Sequence, residues 1–248
     1  MKPRIAVPAA DKELIAELEA KGARVAEVKR GGEVPADAAA AMASASRLAD
    51  GMRLASACGD VHLRLLLLIA EAVDCRESIP AGSAARLLEH ATRFAEALGL
   101  DDEATSLLER ATLLRAIGKT RLSNEILLKK SVLDYDEWLA LKQYPVFGAE
   151  LLEEWDLHAD AAPIVHAHQE SYDGTGYPDG LEKDAIPLLA RMLRIIVVYC
   201  AMTSPRHYRT TVTGHDEAIA YFTEERGQHF DPELVDVFIA HQVGQPAS

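Results

Sequence analysis

The sequence predicts an all-α protein with a small N-terminal segment that reads as α/β. Three observations carry this. After Gly31 no stretch alternates apolar and polar residues with the period of a strand. Segments 84–98 and 102–117 repeat apolar residues at helical spacing. Pro, Gly, Asp or Ser punctuates the remaining chain at intervals that suit helices. Of the 248 residues 49% are apolar and 26% charged, a globular balance that fits one large domain or two small ones.

Residues 1–30 are the exception. Arg4–Val7, Asp11–Lys21 and Arg24–Val28 read as strand, helix and strand, with Gly22 stopping the helix. Gly31, Gly32, Glu33, Val34 and Pro35 form a linker, so residues 1–35 are expected to be a small sensory or docking unit. It lacks the acidic cluster and downstream lysine of a phosphoacceptor domain. Ala36–Ala57 is rich in the best helix former, predicting a connecting helix within 36–59. Its Met42, Ala45, Ala49 and Met52 suit either a homodimer seam or a face packed on their own domain.

Gly59-Asp60 breaks that pattern, and residues 60–248 are predicted to form one helical domain. His62–Val73 carries Leu66, Leu67, Ile69, Ala70 and Val73, the content of a mostly buried helix. Gly99 stops the helix 84–98, and Asp101-Asp102 gives the next one an acidic start that favours its dipole. Further helices are predicted near 123–129, 134–142, 146–155, 159–170, 187–203, 215–226 and 232–242.

Lys and Arg total 26 against 39 Asp and Glu, a formal charge of -13 that repels nucleic acid and anionic membranes. The longest apolar runs, Leu65–Ala70 and Ile195–Met202, fall short of the roughly 20 residues of a bilayer span. Cys58, Cys75 and Cys200 are too few and scattered for a disulfide framework. The N-terminus has no apolar core of signal-peptide length, so the cytoplasm is the expected location.

One loop stands out. Asp173-Gly174-Thr175-Gly176-Tyr177-Pro178-Asp179-Gly180 holds three glycines and a proline in eight residues, which specifies several tight turns between helices. Ile117-Gly118-Lys119, Lys142-Gln143-Tyr144-Pro145 and His168-Gln169-Glu170 precede it. Ile186-Pro187-Leu188, Ala201-Met202-Thr203-Ser204 and Phe230-Asp231-Pro232 follow it. This ordered set, over roughly 60–242, resembles the HD-GYP family, helical metal-dependent phosphodiesterases that hydrolyse cyclic di-GMP. The resemblance implies an HD-domain helical bundle.

It also implies a cluster of imidazole and carboxylate ligands around two or three metal ions that activate a hydroxide. The sequence departs from that pattern. The early Glu and His, four residues apart, correspond to Arg86 and His90. The His-Asp pair corresponds to Arg115-Ala116, and the His before Pro to Tyr144. The double His corresponds to His168-Gln169, and the Asp that opens the Asp-x-Tyr-Asp block to Val197, with Cys200 at its second Asp. Only His90 and His168 remain of eight ligand positions, and Arg86 and Arg115 would oppose a dication. No metal cofactor and no hydrolysis are therefore expected.

The substrate side of the pattern is retained. Lys119, Arg206 and Arg209 match residues that hold the dinucleotide phosphates, and Tyr177 matches the tyrosine of the signature loop. Guanidinium forks and a compact ammonium suit phosphate oxygens, whereas Arg206 and Arg209 could equally pair with carboxylates. Asp173, Gly174, Gly176, Tyr177 and Pro178 keep the loop that the family associates with contacts to diguanylate cyclase domains. The leading expectation is an inert signalling domain that works through such protein contacts. A non-hydrolysing receptor for cyclic di-GMP or a related nucleotide is the alternative, and a residual phosphodiesterase the third.

Overall fold

A computed structural model describes residues 4–8, 24–28, 61–77, 79–129, 131–154, 158–204 and 212–245. The chain divides into two units, Met1–Asp50 and Gly51–Ser248. In the first, β1 (Arg4–Pro8) and β2 (Arg24–Val28) pair in parallel, Arg4 opposite Arg24 and Pro8 opposite Val28. Parallel pairing needs a long crossover between the strands. The predicted helix between them and the Ala-rich helix of 36–59 lie outside the described residues.

The second unit is helical. It begins with α1 (Val61–Arg76), α2 (Ser83–Leu98) and α3 (Asp102–Leu114). Helix α2 is bounded by two left-handed glycines, Gly82 and Gly99, a conformation that strains side chains with a Cβ. The cap at its N-terminus comes from α1. The Glu71 carboxylate accepts the N–H groups of Gly82 and Ala84, each at 3.2 Å to Oε1, and burial pushes its pKa up. One face of α2 buries Leu87, His90, Ala91, Phe94 and Ala95. Asp101 caps α3, its carboxylate accepting the Ala104 N–H at 2.8 Å, as the acidic start predicted.

Helix α3 stops three residues before the predicted end at 117, and a 3-10 turn follows over Ile117–Arg121. Tertiary packing decides this. A Cβ on Gly118 would stand 2.0 Å from the Tyr144 carbonyl oxygen and 2.4 Å from Gly148 N, so two backbones cross there. Two short helices, α4 (Asn124–Leu127) and α5 (Tyr135–Leu141), lead to α6 (Tyr144–Glu154). Asp134 and Glu137 form a capping box at the start of α5, a helix that buries none of its residues.

The predicted helix 159–170 is shorter than expected: a 3-10 turn at Ala159–Ala161 and then α7 (Ala162–Ala167). The chain leaves the helix at His168, whose Nδ1–H donates back to the Val165 carbonyl at 2.5 Å. After the glycine loop come α8 (Leu188–Met202), α9 (His215–Glu224) and α10 (Pro232–Ala240). Helix α8 runs through the core, burying Met192, Leu193, Ile195, Ile196 and Tyr199. The Phe94 and Phe238 rings meet edge to face, 5.4 Å apart. No described helix is long and apolar enough to cross a membrane.

Candidate functional site

The positions that resemble metal-ligand positions do converge. Arg115, Ala116, Tyr144 and Val197, with Cys200, line one cavity of about 60 Å³ between α1, α2, α6 and α8. Side chains fill most of the space a metal cluster would need. Arg115 is buried just past α3, and its Nη2 forks over both carboxylate oxygens of Asp74 at 3.2 and 3.3 Å. Its Nη1 donates to the Thr112 carbonyl at 3.1 Å. Asp74, on α1, is 1% exposed, so the two charges neutralise each other away from water.

Beside the ion pair runs a polar relay. Arg194 donates to Gln169 Oε1. Gln169 Nε2 donates to the Tyr144 hydroxyl at 2.7 Å, and that hydroxyl donates to His168 Nε2 at 2.9 Å. His168 passes its Nδ1–H to Val165, so both ring nitrogens are used and the ring is neutral. Burial, with Arg115 and Arg194 acting in the same direction, lowers the His168 pKa to about 3. Burial likewise raises the Tyr144 hydroxyl well above its usual range.

His90 is engaged elsewhere. Its Nδ1–H donates to the Val243 carbonyl at 2.9 Å, and burial, then the Arg86 charge, lowers its pKa to about 4. Arg86 donates to the Cys200 carbonyl at 3.2 Å and to the Ser204 hydroxyl. His90 and Arg86 border a second pocket of about 330 Å³ with Tyr199, Thr203 and His215. Among the described residues no group of three or more His, Cys, Asp or Glu is placed to hold a metal ion. The donor set here, two guanidiniums, one phenol, one amide and two committed imidazoles, does not fit a di-metal centre.

The signature loop is fastened from below. Glu170 is 2% exposed, and its Oε1 accepts the N–H groups of Asp179 at 2.7 Å and Gly180 at 3.1 Å. Asp173 Oδ1 accepts both the N–H and the hydroxyl of Thr175, an Asx turn. A Cβ on Gly176 would stand 2.2 Å from Ser171 N, so glycine alone fits where the loop folds onto its own base. Tyr177 packs against Leu122, Leu127 and Tyr144. Asp173, Thr175, Asp179 and Gly180 face solvent.

Two of the predicted ligand residues share a cleft. Lys119 and Tyr177 line a space of about 530 Å³ together with Tyr144, Trp138, Leu127 and Val132. Lys119 Nζ, however, lies 2.6 Å from Glu77 Oε1, so its charge is already paired, and it sits 5.2 Å from the Tyr144 ring centre. Arg206 and Arg209 lie outside the described residues. Asp74, Glu77, Trp138 and Arg194 went unnoticed in the sequence. Only Asp74 left a signal there, as a carboxylate directly after the apolar run of α1.

The helical architecture of residues 61–245 is that of a known family of domains. The family model described as HD domain matches residues 68–234. This chain belongs to the HD domain family. It is 37% identical over 173 residues to the cyclic di-GMP phosphodiesterase response regulator RpfG of Xanthomonas campestris, covering 69% of this chain and 46% of that protein. It is 31% identical over 180 residues to the 3'3'-cGAMP-specific phosphodiesterase 2 of Vibrio cholerae, covering 71% of this chain and 34% of that one. The chain thus spans less than half the length of these relatives. Among solved structures, it superposes on the V-cGAP3 cyclic GMP-AMP phosphodiesterase of V. cholerae with a TM-score of 0.57 at 20% identity, over 73% of this chain and 48% of that one. On Bd1817, an HD-GYP-type protein from Bdellovibrio bacteriovorus, the TM-score is 0.52 at 17% identity, over 80% and 69%. These two likenesses show the fold.

Proposed function

We propose that this chain is a catalytically inert HD domain that acts in cyclic di-GMP signalling through protein contacts, in the cytoplasm. One observation carries the first half: a buried Arg115–Asp74 ion pair stands where the family's hydroxide-bearing metals are expected. A metal ion taking Asp74 would strand the Arg115 guanidinium in a dry interior, so the pair opposes metal entry as well as failing to bind one.

Support for protein contact comes from the loop. The Asp-Gly-Thr-Gly-Tyr-Pro loop is rigidly anchored on Glu170 while its polar tips face solvent. Rigid, exposed segments recognise partners at low entropic cost. A diguanylate cyclase domain is the partner the family resemblance favours. The test is metal analysis and cyclic di-GMP turnover on the purified chain, followed by a pull-down with such a domain. Absence of turnover with manganese or iron supplied, and a pull-down weakened by Asp179→Ala or Thr175→Ala, is the expected result. Turnover with stoichiometric metal would overturn the proposal of inertness.

A second reading, a receptor that binds without hydrolysing, is favoured by the 530 Å³ cleft, which holds both Lys119 and Tyr177. Calorimetric titration with cyclic di-GMP in metal-free buffer tests it, saturable binding being the outcome that supports it.

A further inference from the structure

The 330 Å³ pocket bordered by α2, α8 and α9 shares no described lining residue with the cavity of the substituted ligand positions or with the cleft beside the signature loop. Its size suits a small ligand. One wall is fixed by a chain of hydrogen bonds. The Tyr199 hydroxyl donates its proton to the Gly244 carbonyl at 2.6 Å, so toward His215 Nδ1, 2.9 Å away, it accepts. His215 Nε2 then takes the Gln245 amide N–H at 3.3 Å. A Cβ on Gly244 would stand 2.5 Å from the Tyr199 ring, so only glycine fits against that ring.

Another wall is one face of α2, which brings Arg86, Glu89 and His90 together at spacings of three and four residues. These three retain unused polar atoms. His90 is 3% exposed and spends its Nδ1–H on Val243, which leaves Nε2 of the neutral ring as an acceptor with no partner among the described residues. Arg86 Nη2 donates to the Cys200 carbonyl and the Ser204 hydroxyl, but its Nη1 bonds no described residue and its buried Nε has no partner. Glu89 is exposed and makes no ion pair among the described residues.

Together these groups select by charge. A simple anion drawn to Arg86 would meet the Glu89 carboxylate and the lone pair of His90. A simple cation drawn to Glu89 would meet the Arg86 guanidinium. A molecule that carries both an ammonium and a carboxylate satisfies all three at once. Residues four apart on a helix stand about 5–6 Å from each other at Cβ, which suits the short separation of the two charged groups in an α-amino acid.

We propose that this pocket binds a free α-amino acid. Its carboxylate lies on Arg86, its ammonium between His90 and Glu89, and its side chain against the Tyr199 and His215 rings. The site stands apart from the protein-contact and nucleotide readings and depends on neither.

The experiment titrates the standard L-amino acids one at a time into the purified chain by calorimetry. Acetate, methylammonium and the amide of the tightest-binding amino acid are the controls, and the NMR resonance of the Gly244 amide locates the binding. At least one amino acid should bind saturably and shift that resonance, while the three controls, each lacking one charged group, should not bind. Glu89→Gln changes an exposed side chain, so it should keep the melting temperature and weaken binding by about 1.5- to 5-fold, the range of an exposed ion pair. Arg86→Gln should weaken it by about 10- to 150-fold, the range of a hydrogen bond to a charged group. Acetate bound as tightly as the amino acid, an affinity unchanged in both variants, or no binding of any amino acid overturns the proposal. Should Arg86→Gln fail to fold, the wild-type comparison decides: an amide that binds as well as its amino acid overturns the proposal, and one that does not bind supports it.

Discussion

Replacing Arg115 by Met tests the interior that stands in place of the metal centre. The substitution keeps most of the volume and removes the only cation that touches Asp74 in the described structure. Asp74 is 1% exposed and Arg115 7%, so the remaining carboxylate gains little from solvent. Removing one partner of a buried pair costs about 3–5 kcal/mol. For a folding unit of this size that lowers the melting temperature by about 6–20 °C. Asp74→Leu should cost a similar amount, because Arg115 then keeps only the Thr112 carbonyl. The double variant should recover most of the loss, since a well-packed apolar pair of similar volume is about as stable as a buried ion pair. Urea denaturation of wild type, both single variants and the double variant closes the cycle, with a coupling energy of about 3 kcal/mol or more expected. Single losses under about 1 kcal/mol that simply add would refute the reasoning. Metal analysis of Arg115→Met belongs to the same experiment: Ala116, Tyr144, Gln169 and Val197 remain, so the variant should stay metal-free, and stoichiometric zinc would show that the other donors suffice.

Three further outcomes follow from the geometry. The folded-state pKa values of His168 and His90, about 3 and about 4, lie below the ordinary 6.5, so the unfolded chain takes up protons that the folded chain refuses. Stability from these two groups is therefore full above pH 6.5 and lost as pH falls, each contributing a loss of about 2 kcal/mol by pH 5; denaturant titrations at pH 7 and 5 that agree within about 1 kcal/mol would contradict both shifts. Gly118→Ala would place a Cβ 2.0 Å from the Tyr144 carbonyl, a backbone clash expected to cost about 1–3 kcal/mol or more, and an unchanged melting curve would count against the close crossing. Tyr144→Phe deletes the hydroxyl that joins Gln169 to His168, leaving buried polar groups unpaired at a cost of about 1–3 kcal/mol, readable by calorimetric melting, and a neutral result would dissolve the relay.

On the proposed reading, the relay and the ion pair occupy the positions that the family pattern gives to metal ligands. The Tyr144 hydroxyl reaches His168, and Gln169 turns its amide between that hydroxyl and Arg194. Every bond in this chain runs from a donor to a matching acceptor, which is what buried polar groups require.

Much of the architecture was legible in the sequence because it rests on local rules. Gly99 and Asp101 mark a helix boundary through backbone freedom and a side-chain cap, and the structure places both where the pattern put them. Arg115, Ala116, Tyr144, Gln169 and Val197 were readable as departures from a ligand pattern that the family resemblance supplied. The end of α3 was not legible: it depends on Gly118 meeting the backbone of α6.

The partners of the charged residues belong to the tertiary structure alone. Asp74 and Arg115 are 41 residues apart, and Glu77 and Lys119 are 42 apart. Lys119 reads as a phosphate ligand in the chain and as half of an ion pair in the fold. Lys142 reaches the Tyr177 ring, 35 residues away, only in the fold. Sequence determined which groups the protein owns and which helices carry them. Which charges cancel was decided by packing, because an ion pair is set by separation in space and by the water excluded around it.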